Sequence, residues 1–324
     1  MSGRFFNTIK IALEIFACIC LGAISVNAQT ESRVRVAVID FGESSTGARA
    51  AERVREALTT DKIAVESGIV LIDRHLAHAA ARGNGFKGSL NLTTQEARDL
   101  GAAIGCDFFI IGEADTVKRS PSSGSNYFES YAAIFIVSAR TGRLVSWQRS
   151  AKREDTADQA ERDLLTELVS GETNRYRVLI LRASENEASA RAAAVETPPA
   201  HIEVMSDDDN SKNDTQAPRP YRRLKPPYPD VAAQAEVEAV VDALVDIDAR
   251  GEVRKVEIAR WAGYGLDKSV IDTVKQMHFF PAMREGVAIP MRVLLRYNFH
   301  RTTLDQSTSN PDAPKKKIII KPRP

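Results

Sequence analysis

The chain has 324 residues, 43% of them hydrophobic and only 6% aromatic, and a formal net charge of +1. That length accommodates two ordinary domains with modest cores. Near-neutral charge with no concentrated basic surface excludes a nucleic-acid binder held by phosphate contacts.

The N-terminus reads as an export leader over residues 1–28. Arg4 supplies a positive start, Ile11 to Val26 is mostly apolar, and Val26-Asn27-Ala28 fits a signal-peptidase site, which makes Gln29 the mature N-terminus. Removing Arg4, Lys10 and Glu14 with the leader brings the mature chain to neutrality. The competing reading is an uncleaved inner-membrane anchor, opposed by a short apolar run that contains Lys10 and Glu14. Cys18 lacks the polar flank of a lipidation site. Cleavage leaves Cys106 alone, so no intramolecular disulfide can form; its place at the start of an apolar strand suits a buried structural thiol.

Residues 34–41, Val-Arg-Val-Ala-Val-Ile-Asp-Phe, predict a buried strand. Ser44, Ser45 and Thr46 cap a following helix whose buried face carries Ala51, Val54 and Leu58. Ile69 to Ile72 is a second strand. Thr93 and Glu96 form a capping box that starts a helix through Leu100 and Ile104. Phe108 to Ile111 is a third strand, and Tyr127–Val137 with Leu144–Ser150 form a hairpin around Arg140-Thr141-Gly142-Arg143. A charged helix spans Thr156 to Val169, and Val178-Leu179-Ile180-Leu181 reads as a last strand on the same sheet. This alternation predicts a mixed α/β domain over residues 29–182. Residues 183–225, with Pro198-Pro199 and the acidic run Asp207-Asp208-Asp209, read as a disordered linker. Residues 301–324, containing Lys315-Lys316-Lys317, read as a disordered basic tail.

Within 226–300 the pattern is strand, strand, helix, strand. Apolar and polar residues alternate from Val237 to Ile247, turn at Asp248-Ala249-Arg250-Gly251, and alternate again through Val253, Val256 and Ile258. Asp267 caps a helix with Val270, Ile271, Val274 and Met277 on one stripe. Phe279-Phe280-Pro281-Ala282 follows, and a last alternating run, Ile289 to Phe299, closes the module. The predicted fold class is therefore α/β and α+β: a mixed α/β sheet, a flexible linker and a small β-β-α-β module.

Tyr228-Pro229, Asp248 and Gly251, Gly265-Leu266-Asp267, Phe280-Pro281-Ala282 with Gly286, and the aromatic endpoint Tyr297/Phe299 resemble the C-terminal domain of the TonB energy transducers, over about residues 220–300. Ala239 departs from that pattern, which often has glycine there. Val38-Ile39-Asp40-Phe41, Val70 to Arg74, Leu100-Gly101 and Gly105-Cys106-Asp107 give residues 33–170 a weaker resemblance to the periplasmic domain of the curli-secretion protein CsgG, the penicillin-binding-protein activator lipoproteins and flagellar-assembly FlgO. The first resemblance implies a protein of the periplasm or cell envelope whose last strand captures a peptide of an outer-membrane TonB-dependent transporter by β-strand addition. It places the docking edge along Ile289, Met291, Arg292, Val293, Leu295 and Tyr297, with Tyr228 and Pro229 beside the bound peptide. Backbone groups make that contact, so Val293, Leu295, Tyr297 and Phe299 are read as core-facing and Arg292 and Arg296 as solvated strand residues.

Energy transduction would also need a membrane helix engaging inner-membrane motor proteins. Residues 5–28 contain no histidine and no long proline-rich stalk follows, so an adaptor role fits better. The alternative function is envelope assembly or peptidoglycan-synthase regulation through the CsgG-like domain. A swapped strand would give a homodimer.

No cofactor or enzymatic activity is expected. The chain lacks G-x-S-x-G, Walker and H-E-x-x-H patterns. His75 and His78 share a helix face but have no third ligand for a metal. Asp40 and Asp73 end strands, where they either meet in a cleft or cap helices.

Overall fold

A computed structural model describes residues 33–59, 68–170, 173–196, 203–204 and 215–300. The leader, parts of the linker and the basic tail lie outside the described residues.

Strand β1 (Val34–Val38) enters the centre of the first sheet, and Ser44 caps helix α1 (Ser45–Thr59) through Gly47 N–H to Ser44 Oγ, 2.9 Å. Strand β2 (Ile69–Leu71) pairs in parallel with β1. Asp73 caps helix α2 (Arg74–Gly83), and the Thr93/Glu96 capping box opens helix α3 (Thr94–Ile104). Strand β3 (Phe108–Arg119) pairs in parallel with β1 and antiparallel with β4 (Tyr127–Ser138), which pairs with β5 (Leu144–Glu154). The order is β2-β1-β3-β4-β5.

Alternation along the strands supplies two buried faces. Phe108, Ile110, Ile134 and Ile136 meet α1, helix α4 (Ala157–Val169) and helix α5 (Thr173–Glu196). Helix α5 corrects two sequence expectations. The Val178–Leu181 run lies within it, with Tyr176 and Ile180 buried at helical spacing and Val178 49% exposed. Its Ala-, Glu- and Arg-rich continuation also occupies the first part of the expected linker, because those residues are good helix formers.

The remaining described residues build an α+β module. Strand β6 (Glu203–Val204), β7 (Thr215–Gln216) and β8 (Arg219–Pro220) precede helix α6 (Asp230–Gln234), β9 (Ala239–Ile247) and β10 (Val253–Arg260). Helix α7 (Leu266–Val274), β11 (Phe279–Phe280), β12 (Ala282–Arg284), β13 (Val287–Ile289) and β14 (Met291–Phe299) complete it. The main sheet runs β10-β9-β14-β6, and β12 pairs with β7 and β13. At the β9–β10 turn, Gly251 has φ +83, and a Cβ there would sit 1.8 Å from the Phe279 carbonyl oxygen. Only glycine fits that approach.

Three further differences concern helix and strand ends. Helix α7 stops at Val274, although Met277 is still buried. Its N-cap is Gly265 in the left-handed region, not Asp267. Ile289 belongs to β13, and Pro290 separates it from β14, since proline lacks the N–H needed for a continuous ladder.

The second face of the first sheet is covered by α2, α3 and this module, in one continuous core. Phe135 of β4 stacks on Trp261 at 5.9 Å between centroids and meets Tyr264 edge-on at 5.7 Å. Trp261 is 2% exposed, and its Nε1–H donates to the Gly142 carbonyl at 3.1 Å. Asn91 is the polar joint: Nδ2 donates to the Val240 and Trp261 carbonyls at 2.8 and 2.6 Å, and Oδ1 accepts from Val240 N–H at 3.1 Å. A side-chain amide thus satisfies backbone groups at the end of the module's sheet that burial would otherwise leave unpaired.

Candidate functional site

The β9–β14 ladder is complete, running in register from Met291–Ile247 to Phe299–Ala239. On its other side β14 is paired only at its start, where Met291 and Arg292 meet Glu203 and Val204 of β6. Among the described residues, Val293 to Phe299 have no strand neighbour on that side. Arg223 reaches this edge, donating from Nη2 to the Arg296 carbonyl at 3.3 Å and lying over the Tyr297 ring. Such an edge presents backbone donors and acceptors that an added strand would satisfy.

The predicted site residues divide into three groups, with Ile289 apart from them. Met291, Val293, Leu295 and Tyr297 point to the module core; Met291 and Tyr297 are buried, and Tyr297 Oη contacts Met277 Sδ at 3.6 Å. Burial pushes the Tyr297 hydroxyl pKa up. Tyr228 stacks on Phe299 at 6.1 Å and donates its hydroxyl to the Val237 carbonyl at 2.5 Å; Pro229 is the N-cap of α6. These two brace the far end of the β9–β14 pair. Ile289 sits in the small β13-β12-β7 sheet, apart from the edge.

Arg292 forms the third group and is not merely solvated. Its Nε and Nη2 grip Asp246 at 2.5 and 2.8 Å, and Arg296 grips Asp242 the same way at 2.7 and 3.0 Å. Both aspartates are buried, at 3% exposure for Asp242 and 4% for Asp246. Planar guanidinium forks satisfy such carboxylates bidentately. Asp246 holds the Arg292 pKa above its ordinary value through that hydrogen bond. Asp242 and Asp246 on β9 and Arg292 and Arg296 on β14, each pair spaced by four, are the signal in the sequence that could have revealed this ladder. It leaves Leu294, 52% exposed, as the apolar residue of the outer face.

The loop between β10 and α7 is the second functional feature, and sequence reading treated only its glycine and Asp267 as landmarks. Asp267 accepts from Ala262 and Gly263 N–H, both at 2.8 Å, and fixes the loop that carries Trp261 and Tyr264. Burial outweighs these hydrogen bonds and raises its carboxyl pKa to about 6. Gly263 has φ +72, and a Cβ would lie 2.4 Å from Phe135 Cε1.

The other sequence candidates have structural placements. Asp40 receives Arg74 Nη2 at 2.8 Å and lies 3.2 Å from His78 Nε2, while Asp73 caps α2. No cluster of three metal-ligating side chains occurs among the described residues. Cys106 is buried, with desolvation pushing its thiol pKa up to about 12. Among the described residues no helix is long and apolar enough to cross a membrane.

Residues 225–300 match the family described as Gram-negative bacterial TonB protein C-terminal, so the C-terminal module is a TonB-like domain. Among solved structures the chain is similar to the Pseudomonas aeruginosa TonB CTD, at 19% identity over 32% of this chain and 97% of that one, TM-score 0.24. It is also similar to the LpoB C-terminal domain from Salmonella enterica (16% identity, 41% of this chain, 90% of that one, TM-score 0.26). A third similarity is to the hypothetical protein CT253 from Chlamydia trachomatis (12% identity, 44% of this chain, 96% of that one, TM-score 0.30). No curated protein matches the chain.

Proposed function

We propose that this is an exported cell-envelope docking protein, whose TonB-like domain captures an extended segment of an outer-membrane TonB-dependent transporter by strand addition along β14. The observation that carries this reading is the edge from Val293 to Phe299, unpaired by any described strand within a module that matches the TonB C-terminal family. Main-chain pairing supplies the affinity in this binding mode, and the outward residues Leu294, Arg296 and Asn298 supply selectivity. Tyr228 and Pro229 act by holding the strand pair in place. Docking needs only the edge; work on a transporter would further need a membrane anchor.

Titration of the isotopically labelled chain with peptides from the periplasm-facing ends of such transporters tests the reading. The expected result is a run of amide shifts on β14, with the Arg223 contact to Arg296 displaced. Shifts confined to the N-terminal sheet would instead support envelope-assembly or peptidoglycan-synthase regulation through that domain.

A further inference from the structure

Among the described residues, β5 at the end of the first sheet and β10 at the end of the second each have one strand neighbour, with only Arg260 at the end of β10 bridged to Thr93 on the other side. These free edges line the same cleft, of about 490 Å³, with Leu144 to Trp147 on one side and Lys255 to Ile258 on the other. Helix α7 adds Ile271, and Trp261 lies against the floor. The Arg143 guanidinium meets Glu257 Oε1 across it at 2.5 Å. Its size falls within the roughly 300–1,000 Å³ typical of ligand clefts.

The chemistry of the walls selects an occupant. Trp147, Val256, Ile258 and Ile271 give apolar surface, while the unpaired edges supply backbone donors and acceptors. An extended chain meets both requirements, because successive side chains alternate between faces. The charges set its sign. Lys255 and Lys268 are exposed cations on the rim, at 56% and 79% side-chain exposure, with Arg143 at 60%; Lys255 and Arg143 share Glu257 and Lys268 pairs with Asp272, so three cations meet two carboxylates. The acidic side is weaker: Glu257 is already shared by Arg143, Lys255 and Arg292, and both oxygens of Asp267 are occupied by Ala262 and Gly263 N–H.

We propose that this cleft is a second strand-docking site, separate from β14, that takes an extended acidic peptide. The peptide backbone pairs with the outer edge of β10. Its alternate apolar side chains enter between Trp147 and Ile271, and a carboxylate meets Lys255 or Lys268. Complementary rim charges of this kind steer encounter and suppress wrong partners.

The two tryptophans of the chain, Trp147 and Trp261, both line this cleft, so intrinsic fluorescence reads it directly. The probe is a short synthetic peptide alternating valine with threonine and glutamate, added to the full chain, against the same peptide with lysine in place of glutamate. The expected result is a saturable tryptophan change with amide shifts on β10, for the acidic peptide only. The double variant Lys255→Glu/Lys268→Glu, altering exposed side chains, is expected to weaken binding by about tenfold. A silent tryptophan signal at saturating peptide, equal binding of both peptides or an unchanged affinity in the double variant would overturn the proposal. So would occupancy by a second copy, seen as self-association that the same variant abolishes. Shifts confined to β14 would overturn this site while supporting the first docking edge.

Discussion

Trp261, in the loop after β10, and Phe135 of β4 form one aromatic stack inside a single core, 5.9 Å between ring centroids. Either module alone would expose one of these rings. The two modules are therefore expected to unfold together, in one transition seen alike by near- and far-ultraviolet circular dichroism.

Replacing Trp261 by alanine removes the stack, the bond to the Gly142 carbonyl and much of the buried area joining the modules. A loss of about 3–5 kcal/mol is expected for a large aromatic deleted from a core. The single transition should split in two. A single transition, lowered by less than about 1 kcal/mol, would mean that the shared core contributes little.

Gly263→Ala tests the same junction by adding atoms. The substitution strains a residue at φ +72 and drives its Cβ to within 2.4 Å of Phe135. Overpacking typically costs about 1–3 kcal/mol. Hydrogen exchange should speed up in the loop around Trp261 and in β4, leaving the β9–β14 ladder protected.

Asp267 makes stability pH-dependent. Its folded pKa, about 6, lies above its ordinary value of 3.8, so the folded state binds more protons between those values. The stabilisation is fully present below the unfolded pKa and is lost as pH rises through about 6. Urea midpoints across this window should fall with pH in the native chain relative to Asp267→Asn. The variant starts lower, because its amide turns a donor toward one of the two loop N–H groups, but it lacks that titration.

Arg292→Ala would leave Asp246 buried without its fork. Stripping one partner from a buried pair costs up to about 3–5 kcal/mol, and the quarter exposure of the Arg292 side chain places this case near the lower end. Arg292→Leu with Asp246→Leu should recover most of the loss, since replacing both charges removes the uncompensated carboxylate. A double variant as unstable as the single one would show that the ladder acts through something other than charge pairing.

Much of the fold was legible because local signals agreed with tertiary ones. The β-branched run of β1, the Thr93/Glu96 box and the Asp248–Gly251 turn each specify their element within a few residues. Helix α5 was not legible: a four-residue apolar run fits a buried strand and a helix segment equally, and only the i, i+4 burial of Tyr176 and Ile180 separates them. The β14 edge could be anticipated from alternation and module pattern. The partnership of Trp261 with Phe135, Asn91 and Gly142 could not, because it joins positions 119 to 170 residues apart whose meeting depends on how the two sheets stack. A tryptophan followed by Gly263 and Gly265 in a short loop, in a chain with two tryptophans, was the available hint.

The nine-residue register between β9 and β14 also sets how the molecule would carry a mechanical load. A strand docked along β14 and pulled lengthwise would load those pairs in shear, all at once, rather than peel them one by one. Traction would then leave β9 through the Asn91 bonds at Val240 and the Trp261 anchor, and spread into the five-stranded sheet. The joint between the modules would thus work as a strain-bearing coupling.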